Sequence, residues 1–235
     1  MSVFEQVLTV QTLDTTADQL RHQLERLPER VARRDADRAV ASLVAERTEL
    51  KRRAQQLDEE VNRAEHDAAA IDIHTERLNR QLKTIISPRE AEALQNELST
   101  LASRRSDLDD VELMALETLG EIETSEATLD EREPALREAA AAAAVAQDAA
   151  EAGVAARLAE LAEQRIEALS AVPAALVATY EAMRTQFAGV AISRLHGFAC
   201  GGCHLDLSRS EVEAIRAQPE DDPAHCPNCD RWLLR

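Results

Sequence analysis

The chain has 235 residues, a net charge of −17 and a pI near 4.8, and 30% of its residues are charged while 2% are aromatic. The large side chains of an ordinary globular core are missing, and the charge balance lacks the concentrated Lys and Arg that phosphate-backbone binding needs. The Ala/Glu/Leu/Arg bias fits long helices that bury a narrow seam, and the regular recurrence of Leu and Val excludes a disordered polyelectrolyte.

Residues 1–8 lack a basic stretch followed by an apolar one, so no signal peptide is expected. No run approaches the roughly 18 apolar residues of a membrane span. The nearest, 139–150, is mostly Ala and is interrupted by Asp148. These features predict a cytoplasmic protein without membrane contact. Thiols in that compartment stay reduced, so the four cysteines are expected to be ligands rather than disulfides.

Four prolines precede the C-terminal region, Pro28, Pro88, Pro134 and Pro173, and each is expected to start, kink or stop a helix. Between them the apolar residues follow coiled-coil spacing. Leu20, Leu24, Leu27 and Val31 form one seam, Leu43, Leu50 and Leu57 repeat at sevens, and Leu78, Leu82 and Ile85 close the first half. Leu94, Leu98, Leu101 and Leu108 restart the seam, and Leu158, Leu161 and Leu169 continue it. The Ser87-Pro88-Arg89-Glu90 run reads as a helix start and places a turn near 85–89. Residues 1–172 therefore form a long antiparallel coiled-coil hairpin with arms 1–84 and 89–172. Arm 1–84 carries 14 Lys+Arg against 16 Asp+Glu, and arm 89–172 carries 7 against 20. That asymmetry predicts that the basic clusters Arg30/Arg33/Arg34/Arg38 and Lys51/Arg52/Arg53 face an acidic strip running from Asp107 to Glu123. The Ala-rich 139–150 stretch is expected to be plain helix with close helix approach; the alternative is that this section, with Gly153 just after it, is a bendable hinge.

Residues 173–235 form a second domain, a short helix plus a small α+β head. The helix is expected over 174–186 and carries Tyr180 and Met183, and 187–195 alternates weakly, as a strand would. Cys200-Gly201-Gly202-Cys203 and Cys226-Pro227-Asn228-Cys229 then give C-x2-C…C-x2-C, the spacing of a zinc ribbon. Two-residue gaps turn both sulfurs of a pair toward one ion, Gly201 and Gly202 are expected to let the backbone curl around it, and Pro227 stiffens the second turn. Four thiolates complete a tetrahedral Zn²⁺ and leave no position for water, so the single zinc is expected to be structural; iron fits the same ligand set. Ser208, three residues before Glu211, predicts a capped helix between the pairs. His196, His204 and His225 lie near the ligands but are not needed to complete the site. Trp232 is expected to pack on the head more readily than to stack on a base.

Hairpin and head together resemble the bacterial family of coiled-coil proteins with a C-terminal C4-type zinc ribbon, which includes a flagellar regulator linked to an alternative sigma factor and to flagellin mRNA. The resemblance spans nearly the whole chain. It is strongest at residues 198–203 and 226–233, and it extends to 87–94 and to Tyr180-Glu181. It implies an elongated hairpin plus ribbon with Cys200, Cys203, Cys226 and Cys229 as zinc ligands. Two departures stand out: Asp230 where the family usually has Gly, and Trp232-Leu233-Leu234 where a terminal aromatic is usual. The flagellar role does not transfer on this resemblance.

No phosphate loop, nucleophile elbow or acidic pair in a shaped pocket occurs, so neither catalysis nor a small-molecule substrate is expected. Two functions remain. The favoured one is an adaptor whose ribbon docks a protein partner of the transcription or regulatory machinery. The other is an RNA or DNA binder that uses Arg194, Arg209, Arg216, Arg231, Trp232 and Arg235. The same seam serves a monomer or a homodimer.

Overall fold

The computed structural model describes residues 2–219 and 223–235. Helix α1 spans Val3–Glu25, α2 Pro28–Leu82, α3 Pro88–Ser170 and α4 Ala174–Gln186. Strands β1 (Ile192–His196) and β2 (Ala199–Cys200), helix α5 (Arg209–Ala217), and strands β3 (Ala224–His225) and β4 (Trp232–Leu234) follow. None of the described helices is long and apolar enough to cross a membrane.

Packing divides the chain into two units, 32–143 and 1–31 with 144–235. These packing units cut across the hairpin and head because α1 and the last part of α3 pack with the ribbon.

In the unit 32–143, α2 and α3 run antiparallel. Arg47 Nη1 and Nη2 reach Glu133 and Asp130, both at 2.6 Å, and His74 lies 3.3 Å from Glu97. The bend at 83–87, ahead of Pro88, is where the sequence placed the hairpin turn. Leu101, Ala115, Ile122 and Leu129 are buried along α3, with Leu108 and Leu136 half-buried at the same seven-residue step. Leu43, Ala64, Ala68 and Leu78 are buried along α2. This is a heptad seam.

Of the start, kink or stop expected at Pro134, a start and a stop are excluded: α3 runs through it from Pro88 to Ser170. A mid-helix proline removes the N–H that would bond the carbonyl of residue 130 and costs about 3 kcal/mol, so packing of the seam on both sides has to hold the helix through it. The arginine clusters also do not meet the strip from Asp107 to Glu123. With 47 opposite 130–133 and Asp72 opposite Arg105, that strip lies level with residues beyond the clusters. The ion pairs of Arg33 with Asp37, Arg38 with Asp35 and Arg52 with Glu49 lie within α2. At one turn's spacing the local carboxylate needs no interhelical register.

In the unit 1–31 with 144–235, α1 is N-capped by Ser2, whose hydroxyl accepts from Glu5 N–H. Arg30 of α2 reaches Glu151 of α3 at 2.8 Å. The Ala-rich stretch and Gly153 lie in uninterrupted helix. Helix α4 covers the span expected for it, but the strand expected over 187–195 begins at Ile192. Ala188 and Gly189 adopt positive φ (52° and 99°) and turn the chain out of α4 first. The sheet has the order β2-β1-β4-β3, with β1 and β4 parallel and the outer pairs antiparallel. Alternation along β4 gives it two cores. Trp232 faces Phe4, Val7 and Val10 of α1, Tyr180 and Met183 of α4, and Ile192. Leu233 faces Leu207, Val212 and Ile215 of α5, Ala224, and the sulfurs of Cys200 and Cys226.

Candidate metal centre

The two cysteine turns are built alike. His204 N–H donates to the Cys200 carbonyl and Asp230 N–H to that of Cys226, both at 2.8 Å. Cys200 N–H donates to the Leu205 carbonyl at 3.0 Å and Cys226 N–H to that of Arg231 at 2.9 Å. His204 and Asp230, each directly after the second cysteine of its pair, take positive φ (60° and 62°). Asp230 thus occupies the left-handed position where the resembling family has Gly, a conformation that Asp tolerates better than most residues.

The four sulfurs lie within 4.8 Å of one another, with Cys200 to Cys229 and Cys203 to Cys226 both 3.9 Å. A tetrahedral zinc with bonds near 2.3 Å requires sulfurs about 3.8 Å apart, so the set fits one zinc with little adjustment. Cys200 and Cys226 are buried and Cys203 and Cys229 half-buried. These four are the metal-ligating cluster among the described residues, and no histidine joins it. His225 Nδ1 instead lies 3.0 Å from the Asp230 carbonyl oxygen.

Burial disfavours the Cys200 thiolate, but N–H groups of Cys203 and Gly202 and the Ser193 hydroxyl outweigh it and bring its pKa down to about 7. Burial pushes Cys226 up to about 12 against the N–H groups of Asn228 and Cys229. The Leu205 N–H favours the Cys203 thiolate, yet burial and the neighbouring Cys229 and Cys200 sulfurs leave its pKa raised.

The glycines have a different reason from the one their sequence position suggested. Gly201 and Gly202 do not adopt positive φ; they lie against β1 and Arg231. A Cβ on Gly201 would fall 2.7 Å from the Arg194 carbonyl oxygen, which already accepts the Gly201 N–H at 2.9 Å. A Cβ on Gly202 would fall 2.8 Å from Arg231 Cδ and 3.0 Å from Ser193 Oγ. Helix α5 carries the expected capping box, with Ser208 and Glu211 exchanging both bonds.

Most of the residues read as candidate phosphate or partner contacts are occupied within the head. Trp232 is 2% exposed and packs edge-on against Phe4, with centroids 5.5 Å apart, so its ring offers no face to a base. Arg231 Nε donates to the Val190 carbonyl at 2.8 Å, and its guanidinium lies 5.0 Å from the Phe187 ring. Arg194 pairs with Glu5 at 3.1 Å, and Arg235 donates to the Gln218 carbonyl. Arg209 pairs with Glu213 one turn along α5, and Arg216 lies in the last turn of the same helix.

Helix α1 contributes polar anchors that sequence reasoning missed. Gln11, 7% exposed, accepts from Ala191 N–H at 2.6 Å and Ile192 N–H at 2.8 Å and donates to the Ile192 carbonyl at 2.7 Å. Its amide thus bonds the start of β1 as a neighbouring strand would. Asp14, 5% exposed, accepts from Tyr180 Oη at 2.8 Å and Arg165 Nε at 2.6 Å. The signal available was Phe4 with Val7 and Val10 at helical spacing, an apolar face with no role in the hairpin seam.

Residues 10–188 match the CT398-like coiled coil hairpin domain, and residues 199–233 match the C4-type zinc ribbon domain. An uncharacterized protein of Mycobacterium tuberculosis, strain H37Rv, is 29% identical over 97% of this chain and 94% of its own length. A solved protein of Mycobacterium smegmatis aligns with TM-score 0.82 at 23% identity, covering 99% of this chain and 97% of that one. CT398 of Chlamydia trachomatis aligns with TM-score 0.82 at 16% identity (98% and 96% covered), and the HP0958 protein of Helicobacter pylori with TM-score 0.60 at 16% (98% and 96%). At such identities the solved structures share the fold.

Two outcomes test this centre. In the metal-free chain at pH 7 the thiols of Cys203 and Cys226 hold their protons, whether the head is folded or not, so zinc must expel at least two protons. The logarithm of the zinc association constant, measured by chelator competition, should therefore rise with pH with a slope of at least two at pH 7. A slope of one contradicts the assignment. Gly201→Ala should destabilise the head by about 1–3 kcal/mol through the clash with Arg194, whereas Asp230→Gly, which relieves a left-handed residue, should leave the melting temperature equal or higher. Thermal melts of both zinc-loaded variants decide this, and a neutral Gly201→Ala would refute the close-approach argument.

Proposed function

The chain belongs to the CT398-like coiled-coil hairpin family, and on that premise we propose that it is a non-enzymatic adaptor. Its zinc ribbon holds a macromolecular partner, a protein of the transcription or regulatory machinery, in the reducing cytoplasm. The observation that carries this reading is the occupation of the head's own chemistry. Four sulfurs fill a tetrahedral ion and leave no coordination position for a substrate or water, so the metal's contribution is folding energy on the order of 10 kcal/mol. Trp232, Arg194, Arg231 and Arg235, the groups best suited to bases and phosphates, are used in holding the head together. An acidic chain with these residues committed has little left with which to neutralise a phosphate backbone.

Large apolar side chains do remain exposed beside the first cysteine turn. Phe198 is 51% and Leu205 54% exposed, and the backbone pairing of Leu207 with Phe198 and of Cys200 with Leu205 places them on one short hairpin. Exposed apolar groups on a rigid, metal-pinned loop suit protein docking better than nucleic-acid docking. The nucleic-acid reading retains Arg209 and Arg216, seven residues apart on α5 and therefore on one face of it.

Cross-linking in the native cell, with wild type and Cys226→Ser compared, tests the adaptor. Partner cross-links should map to 190–235 and be lost in the variant; a partner set unchanged by the substitution refutes a role for the ribbon. Titration with labelled RNA and duplex DNA should show no salt-sensitive binding at micromolar protein. A log–log salt slope of several units would replace the adaptor with the nucleic-acid reading.

A further inference from the structure

Helices α1, α3 and α4 line an open pocket of about 270 Å³ beside the Asp14 anchor, with Leu13, Leu158 and Leu161 among its apolar walls. Three guanidinium groups line it: Arg21 from α1, Arg165 from α3 and Arg184 from α4. One carboxylate, that of Asp14, lines it with them; Asp18 and Glu181, which also pair with these arginines, are not among its walls. Three carboxylates thus match the three guanidiniums, and what the walls offer an anion is N–H donors left unused by these pairs.

Each guanidinium offers five N–H donors and no acceptor. Arg165 donates through Nε and Nη2 to Asp14 and through Nη2 to Glu181. Arg184 donates through Nη2 to Asp18, and Arg21 through Nη1 to Asp18. Arg184 Nε is buried without a hydrogen bond, its nearest carboxylate oxygen being Asp14 Oδ2 at 3.7 Å. The Nη1 groups of Arg165 and Arg184 and the Nη2 of Arg21 make none of these bonds. A network whose whole task was to clamp α1 to its neighbours would need neither this surplus of donors nor a void between them. Arg165 and Arg184 are held at side-chain exposures of 28% and 23%, so their forks are preset rather than free in solvent. At ~30 Å³ per water, the void has room for several waters or for one tetrahedral oxyanion with part of its shell.

We propose that the cavity lined by Arg21, Arg165 and Arg184 binds an oxyanion of the phosphate class, as inorganic phosphate or as the phosphoryl group of a small phosphate monoester. Planar guanidinium forks match phosphate oxygens in pairs, and the donors here come from three different helices, α1, α3 and α4. Asp14 accepts from Tyr180 and Arg165 and so fixes the Arg165 fork beside the cavity. The site is independent of the zinc and of the adaptor reading.

The test is isothermal titration of the zinc-loaded full chain with inorganic phosphate, at about 0.15 M ionic strength to screen the outer surface. A phosphate monoester and acetate are titrated in parallel. Saturable 1:1 binding of phosphate or the monoester, and its absence with acetate, is the expected result, and the first two titrations distinguish the free ion from the ester. Arg21→Gln, at a side chain 60% exposed, should leave the melting curve in place and weaken binding about tenfold. Arg184→Gln should weaken it further. Absence of saturable binding, binding of acetate with equal affinity, or affinity unchanged in Arg21→Gln overturns the proposal.

Discussion

Everything in the C-terminal head depends on four sulfurs from two distant turns meeting within 4.8 Å. The head is too short, and too poor in large apolar side chains, to be held by burial alone. Zinc joins the turns, and their shared hydrogen-bond pattern makes them near copies of one another, with a left-handed residue closing each. The turns in turn align β2 and β3 at opposite edges of one sheet, so a single ion fixes both margins of a four-stranded element. The tight fit of the first turn against β1, where a Cβ at Gly201 would fall 2.7 Å from the Arg194 carbonyl oxygen, carries that constraint into the strand.

Strand β4 links the metal to the helices. Its alternation sends Leu233 toward the cysteine sulfurs and Trp232 toward α1 and α4, so the metal half and the helical half share three residues of backbone. Helix α1 completes the second core. Phe4 meets Trp232 edge-on, Gln11 bonds the entrance to β1, and Asp14 ties α1 to Tyr180 of α4 and Arg165 of α3. Burial of the Tyr180 ring and its bond to Asp14 both raise the phenol pKa, so Tyr180 remains a donor throughout the physiological range. The beginning and the end of the sequence therefore fold as one body.

Much of this was legible in the residues. The C-x2-C pairs named the ligands, Ser87-Pro88 located the hairpin turn, and Ser208 with Glu211 located the cap of α5, because each is a local rule with a fixed spacing. Other features were not legible because they depend on who packs against whom. Pro134 reads as a helix breaker, but tertiary packing carries α3 through it. The basic clusters of α2 were matched to an acidic strip by net charge alone, and exposed pairs of that kind are too weak to choose a register against a local carboxylate. Gly201 reads as a flexible residue, whereas the constraint on it is a carbonyl from a strand still to be placed. Trp232 packs on the head as its sequence context suggests, but a sequence does not reveal that α1, more than 200 residues earlier, covers the ring.

The account of function depends on the same closure of the metal. With all four positions held by sulfur, the zinc orders the head and has no open position for water or substrate. X-ray absorption at the zinc edge on the purified full-length protein measures this directly. The expected spectrum has a single shell of four sulfurs at about 2.3 Å with one zinc per chain; a shell containing nitrogen or oxygen, or a chain without metal, would contradict it.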